Sequence, residues 1–104
     1  MGRLLYGSPP VAFELDDRTL AHVEIVVIAK LRRNESFAFS LPGKGDARTS
    51  IWVSPASDIQ FEYGQGSQEV NRAWLENLIE SANSPQGLRL TPEPDAKAAA
   101  APAV

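Results

Sequence analysis

The alternation of apolar and polar residues predicts two strands at the start of the chain. Residues 4–6 read Leu-Leu-Tyr, residues 7–10 read Gly-Ser-Pro-Pro, and residues 11–15 read Val-Ala-Phe-Glu-Leu, in which every second side chain is large and apolar. Glycine and proline favour turns because glycine accepts positive φ and proline restricts φ to one value. Two apolar strands around such a loop are typical of a β-hairpin with a four-residue loop.

Residues 18–33 fit two periods. Every odd position from 21 to 31 is apolar, which is the period of a strand. Another apolar set follows helical spacing: Leu20, Val23, Val27 and Leu31. The β-branched residues lower helix propensity by about a few tenths of a kcal/mol each, but the length of the segment favours a helix. Asp16 or Asp17 supplies an N-cap and Asn34 a C-terminal cap, so we expect a helix and keep the strand as the alternative.

The pattern after Asn34 predicts three strands, a helix and a last strand. Apolar residues alternate over 36–41, 50–54 and 59–63, which indicates a three-strand antiparallel meander with one apolar face. An apolar stripe at helical spacing then predicts a helix that ends at residues 83–85: Val70, Trp74, Leu75, Leu78, Ile79 and Ala82. Residues 87–90 form the final strand. The predicted fold is α+β, in the order ββαβββαβ, with both helices packed on one face of a mostly antiparallel sheet.

Length and composition limit the function classes. Residues 1–90 are expected to form a single α+β domain, and residues 91–104, rich in proline and alanine without a large apolar anchor, a disordered tail. The absence of cysteine excludes disulfides, a thiolate nucleophile and cysteine-bound zinc. Lys30 and Glu24 interrupt the longest apolar run, so we expect no membrane span. We also expect no signal peptide and a cytoplasmic location.

Two segments invite a catalytic interpretation that their residues do not support. His22 is the only histidine, and Glu24, two positions away, would lie on another side of a helix, so we expect a structural histidine bonded to the backbone and no metal site. Lys44-Gly45-Asp46 resembles the start of the adenylation motif Lys-x-Asp-Gly, but Ala47 replaces the glycine. The glycine spacing around Lys44 also differs from that of a P-loop. We therefore expect no enzyme activity and no cofactor.

Two surfaces remain as binding candidates. The net charge is −3, yet residues 18–48 hold six basic and three acidic residues, which suggests a phosphate-binding patch. Its members are Arg18, Lys30, Arg32, Arg33, Lys44 and Arg48. If Ile51 and Val53 face the core, Trp52 faces outward beside Ser40 and Ser50, where an aromatic side chain suits a protein partner or a homodimer. The leading hypothesis is a small interaction domain; the alternative is a nucleic-acid-associated accessory protein.

The chain also resembles a known family in several short motifs. These are Gly2-x-Leu4-x-Tyr6-Gly7, Asp17-Arg18-x-Leu20-Ala21-His22, Lys30-Leu31-Arg32-Arg33-x-Glu35-Ser36-Phe37, Ser50-Ile51-Trp52, Asn71-Arg72-x-Trp74, Ala82-Asn83-Ser84 and Gly87-Leu88. They are similar to those of uncharacterised actinobacterial proteins of about this chain's length, which are often labelled ATP-dependent DNA ligase. The resemblance covers residues 1 to about 94 and implies no established activity and no catalytic or binding residues.

Overall fold

The computed structural model describes residues 1–66 and 68–94 of the chain. The elements in this part are β1 (Gly2–Tyr6), β2 (Val11–Leu15), α1 (Asp17–Arg32), β3 (Phe37–Pro42), β4 (Arg48–Val53), β5 (Ile59–Glu62), α2 (Arg72–Ala82) and β6 (Leu88–Arg89). The α+β class, the mostly antiparallel pairing and the order ββαβββαβ are confirmed.

The strands form two sheets of three, in the orders β2-β1-β5 and β4-β3-β6. The β1–β2 hairpin is confirmed, with Tyr6 opposite Val11 at the loop. The predicted meander is wrong, because β5 pairs antiparallel with β1 and not with β4. Alternation marks which side of a strand is apolar but not which strand lies beside it. A turn closed by the Ser57 N–H on the Ser54 carbonyl, at 2.9 Å, follows β4 and leads the chain towards the other sheet.

Helix α1 confirms the helical interpretation of residues 18–33. The Asp16 carboxylate caps its first turn by accepting the Thr19 N–H at 3.4 Å. Beyond its end, Asn34 adopts φ +61°, the left-handed conformation that asparagine tolerates after a helix. The helix packs against α2 and β1 through an apolar stripe made of Leu20, Val23, Val26 and Val27. None of the helices in the described residues has the length and apolar character to cross a membrane.

Helix α2 packs against β3 and β6 and completes the core. It begins after Asn71, whose side-chain oxygen accepts the N–H groups of Ala73 and Trp74 at 3.0 and 3.3 Å. Its buried residues are Trp74, Leu78 and Ala82. Val70, which the sequence pattern included in the helical stripe, precedes the helix and is exposed.

Strand β6 lies parallel to β3, with Arg89 opposite Ser40. On its other side the Arg89 N–H donates to the Ser81 hydroxyl of α2 at 2.8 Å. Residues 91–94 then run without regular secondary structure, and the Thr91 carbonyl accepts the indole N–H of Trp74 at 2.9 Å. The rest of the predicted tail, residues 95–104, lies outside the described residues.

Two glycines with positive φ provide a matched test of the β3–β6 packing. A Cβ at Gly87 (φ +82°) would lie 2.9 Å from the carbonyl carbon of Ala38, whereas a Cβ at Gly45 (φ +61°) would have no atom within 4 Å. Both alanine variants pay about 1 kcal/mol for the left-handed conformation, and Gly87→Ala adds a steric cost of about 2 kcal/mol. Urea unfolding should therefore show a clearly larger loss for Gly87→Ala. Equal losses would contradict this packing.

Candidate functional site

The outward side of the β4-β3-β6 sheet carries a set of side chains that we name the Trp52 face. Residues paired across neighbouring strands project to the same side of a sheet, and so do residues two apart on one strand. Trp52 pairs with Ala38 and Ser50 pairs with Ser40, which also lies opposite Arg89. The Trp52 face therefore consists of the outward side chains of Ala38, Ser40, Arg48, Ser50, Trp52 and Arg89.

Trp52 is the largest exposed side chain of this face. It is 61% exposed, while its neighbour Val53 is fully buried in the core. The Tyr6 hydroxyl, from the other sheet, donates to the Trp52 backbone carbonyl. The backbone of Trp52 is thus held on both sides, by the β3 pairing and by Tyr6, while its indole ring remains accessible.

The two serines and the two arginines lie beside Trp52 along the strands. The hydroxyl oxygens of Ser40 and Ser50 are 3.4 Å apart. A shallow depression of about 290 Å³ has Ser40, Arg48, Arg89 and Asp46 among its lining residues. Within the described residues, neither arginine forms an ion pair. Both guanidinium groups are therefore without a carboxylate partner in that part of the chain.

Sequence reasoning missed Arg89. The available signal was the alternation of Leu88 and Arg89 in the last predicted strand, which indicates one inward and one outward side chain. The side of the sheet that Arg89 shares with Trp52 follows only from the parallel pairing of β6 with β3.

The structure separates the six predicted nucleic-acid residues. Arg18 donates to the Glu93 carboxylate, with a shortest distance of 2.6 Å, and to the Glu69 carbonyl at 2.8 Å. The Lys30 ammonium contacts the Glu35 carboxylate at 3.0 Å and donates to the Asn83 side chain at 2.9 Å. These two cations are therefore engaged within the fold.

The other four basic residues are exposed but belong to different parts of the chain. Arg32 and Arg33 lie at the end of α1, Lys44 lies in the loop between β3 and β4, and Arg48 begins β4. Only Arg48 belongs to the Trp52 face. The Gly43 N–H donates to the Ala47 carbonyl at 2.8 Å, which closes the exposed loop that holds Lys44.

His22 is bonded to the backbone, as the sequence predicted. It is fully buried, and its Nδ1 lies 2.8 Å from the Arg18 carbonyl. Its Nε2 accepts the Asn71 N–H at 2.8 Å. These partners assign the neutral tautomer with the proton on Nδ1. Both ring nitrogens are therefore occupied, and the ring packs against Trp74 with centroids 4.6 Å apart. The described residues contain no cluster of three or more potential metal ligands.

A polar network around His22 connects three segments of the chain. The Asn71 amide donates to Glu93 at 3.0 Å and to the Pro94 carbonyl at 2.9 Å, and Arg18 holds the other side of Glu93. Hydrogen bonds from Arg18 and Asn71 lower the pKa of Glu93 to about 2. The same contact raises the pKa of Arg18. The network therefore fastens residues 91–94 to the starts of α1 and α2.

A second carboxylate near the start of α1 fastens another segment. Asp17 accepts the backbone N–H groups of Gly64 and Gln65, both at 3.0 Å. The Gly64 hydrogen bond is the main cause that lowers the pKa of Asp17. The Met1 ammonium also lies 3.7 Å from the Asp17 carboxylate. Because the buried carboxylate joins these groups, we interpret it as a structural link after β5.

Acid sensitivity should depend on Glu93. The pKa of Glu93 falls from 4.5 to about 2 on folding. Its contribution to stability is therefore complete above pH 4.5 and is lost as the pH falls from 4.5 to about 2. In urea unfolding, Glu93→Gln should lower the midpoint at neutral pH and flatten its decline between pH 4.5 and about 2. Glu80→Gln, an equal charge change at an exposed site on α2, should follow the wild-type profile. A Glu93→Gln profile parallel to wild type would contradict the network.

The chain matches one family along nearly its whole described length. A family described as "Domain of unknown function (DUF7882)" matches residues 1–93. Neither the curated proteins nor the solved structures contain a match to the chain. The matched region includes the Trp52 face and the network that ends at Glu93. The chain therefore belongs to this domain family of unknown function.

Proposed function

We propose that this protein is a small, non-enzymatic interaction domain of the cytoplasm, which binds a protein partner through the Trp52 face. The observation that carries the proposal is the 61% exposure of Trp52 on a regular sheet. Burying a large aromatic side chain contributes about 1.5–3 kcal/mol to association, and such side chains dominate the energetics of many interfaces. A contact at Trp52 therefore supplies a useful share of a partner's binding energy.

The support around Trp52 makes the ring suitable for recognition. Val53 is buried on the opposite side of β4, and Tyr6 holds the Trp52 carbonyl. A ring on a fixed backbone loses less conformational entropy on binding than one on a mobile loop. Ser40 and Ser50 add hydroxyl groups that both donate and accept hydrogen bonds. An apolar anchor beside small polar groups is the usual composition of an interface centre and its rim.

Replacement of Trp52 tests this proposal. Trp52→Ser should weaken partner capture or self-association by about tenfold or more, since it removes a central aromatic contact, while the melting temperature changes little because the side chain is outside the core. Val11→Ser is the matched control, because Val11 is 57% exposed on β2, in the other sheet. The measurements are sedimentation velocity and affinity capture with a tagged chain. Equal behaviour of the two variants would contradict the proposal.

A second candidate function, binding of single-stranded nucleic acid, is favoured by the two arginines beside Trp52. Arginine binds phosphate groups in bidentate geometry, and a tryptophan next to such cations stacks nucleobases. The resemblance to actinobacterial proteins labelled DNA ligase favours the same partner class. Against it stand the net charge of −3 and the engagement of Arg18 and Lys30 within the fold.

A salt series tests the second candidate. If the domain binds a fluorescent single-stranded oligonucleotide, affinity should fall steeply as salt rises, since phosphate contacts release counterions. Arg48→Gln and Arg89→Gln should weaken binding equally, because both lie on the Trp52 face. Absence of binding at low salt would exclude this candidate.

A further inference from the structure

Strand β4 is an edge strand whose outward backbone groups at Arg48 and Ser50 have no partner in the described part of the chain. The N–H and C=O of one residue in an antiparallel strand point to the same side, and this side alternates along the strand. Tyr6 of the other sheet donates to the Trp52 carbonyl, so this carbonyl points away from β3. By alternation, the backbone groups of Arg48 and Ser50 also point away from β3. Apart from the β3 pairing, no backbone hydrogen bond joins either residue to the described part of the chain.

The packing on the other side of β3 supports this orientation. A Cβ on Gly87, which precedes β6, would meet the Ala38 carbonyl, so this carbonyl is turned towards β6. Because Ala38 lies opposite Trp52, the residues of β3 that bond β4 are the odd-numbered ones. The even-numbered residues of β4 therefore have their N–H and C=O groups on its outer edge.

The other sheet edges are less suited to pairing with another chain. The outer side of β6 is occupied by the Ser81 hydroxyl. In the first sheet, the edge strands β2 and β5 carry Glu14 and Glu62, each opposite Arg3 of β1. Charged side chains protect edges because they oppose the docking of a further strand. Strand β4 contains no acidic residue and no proline, and its one charged residue, Arg48, lies at its first position.

We propose that β4 pairs with β4 of a second copy of this chain, antiparallel and about a two-fold axis, which makes a continuous six-stranded sheet. This inference rests on the proposed function and names the partner of the Trp52 face. Ser50 lies opposite Ser50 of the second copy, and Arg48 lies opposite Trp52 of the second copy. Because the Trp52 carbonyl keeps its hydrogen bond from Tyr6, the outward groups of Arg48 and Ser50 and the Trp52 N–H then exchange about four hydrogen bonds between the copies.

Side-chain complementarity selects this register. Because the backbone groups of a strand alternate in direction, the register can change only in steps of two residues. Only the register with Ser50 opposite Ser50 places each Arg48 opposite a Trp52 ring. An arginine over a tryptophan ring is attracted by the negative charge on the face of the ring. The two Arg48 residues are about 14 Å apart, four residues at 3.4 Å each, which exceeds the Debye length of about 8 Å at physiological salt. Their mutual repulsion is therefore weak, and the interface is self-complementary.

A proline at the centre of β4 tests the edge pairing. Proline is tolerated at an edge position whose N–H faces solvent, so Ser50→Pro should keep the fold while it removes the central hydrogen bonds between copies. Sedimentation velocity over a concentration series should show a dimer for the wild type and a dimer dissociation constant raised about tenfold or more for Ser50→Pro. Ser50→Thr, which keeps the N–H, should dimerise within about threefold of wild type.

A pair of arginine variants gives a test that does not depend on proline. Arg48→Gln and Arg89→Gln remove the same charge from the same face, but only Arg48 lies on β4. Dimerisation should weaken about fivefold or more for Arg48→Gln, because the dimer loses two symmetric cation–π contacts that together contribute about 1 kcal/mol, and should not change for Arg89→Gln. Equal weakening of both variants would overturn the register. If Ser50→Pro does not fold, this pair decides alone.

The remaining outcomes separate this inference from the proposed function. A wild-type chain that is monomeric at every concentration overturns the second copy as partner, while capture of another protein that depends on Trp52 still supports the proposed function. A dimer that Trp52→Ser disrupts but Ser50→Pro leaves intact overturns the edge pairing and retains the Trp52 face. Salt-sensitive oligonucleotide binding by a monomeric chain assigns the face to nucleic acid and overturns both protein proposals.

Discussion

The burial of one side of the β4-β3-β6 sheet determines what the other side presents. Phe37, Phe39 and Leu41 of β3 and Val53 of β4 are buried in a core shared with the two helices. Because successive side chains of a strand point to opposite sides, this burial leaves Trp52 on the outside. A shift of β4 by one residue would bury Trp52 and expose Val53, at a cost of several large apolar contacts. The exposure of Trp52 is thus a consequence of core packing.

A polar network at the starts of α1 and α2 stabilises this core. His22, Asn71, Glu93 and Arg18 satisfy one another's hydrogen bonds next to Trp74. Buried polar groups destabilise a fold when they lack partners, and a satisfied network specifies one arrangement. His22, the only histidine of the sequence, belongs to this network. A residue type that often serves in catalysis here helps to join α1, α2 and the segment after β6.

Local patterns predicted the parts of the structure that depend on neighbouring residues. The Asp16 cap, the left-handed Asn34 just after α1 and the outward position of Trp52 all follow from spacing within a few residues. The features that sequence reasoning missed depend on distant contacts. Nothing near Ile59 indicates that β5 pairs with β1, and nothing near Arg18 indicates that Glu93, far along the chain, occupies its guanidinium group. The predicted basic patch is therefore not formed, because Arg18 and Lys30 pair with carboxylates and the other four basic residues lie in different parts of the fold.

The function proposed for the Trp52 face requires that Trp52 is exposed in the free chain and becomes buried on association. Acrylamide quenching of tryptophan fluorescence, measured over a series of protein concentrations, tests it most directly, because Trp74 is buried and Trp52 is not. A strongly quenched component should appear in dilute solution and become protected as the concentration rises. Weak quenching in dilute solution would contradict the exposure of Trp52, and quenching of the same strength at every concentration would contradict its burial by a second copy.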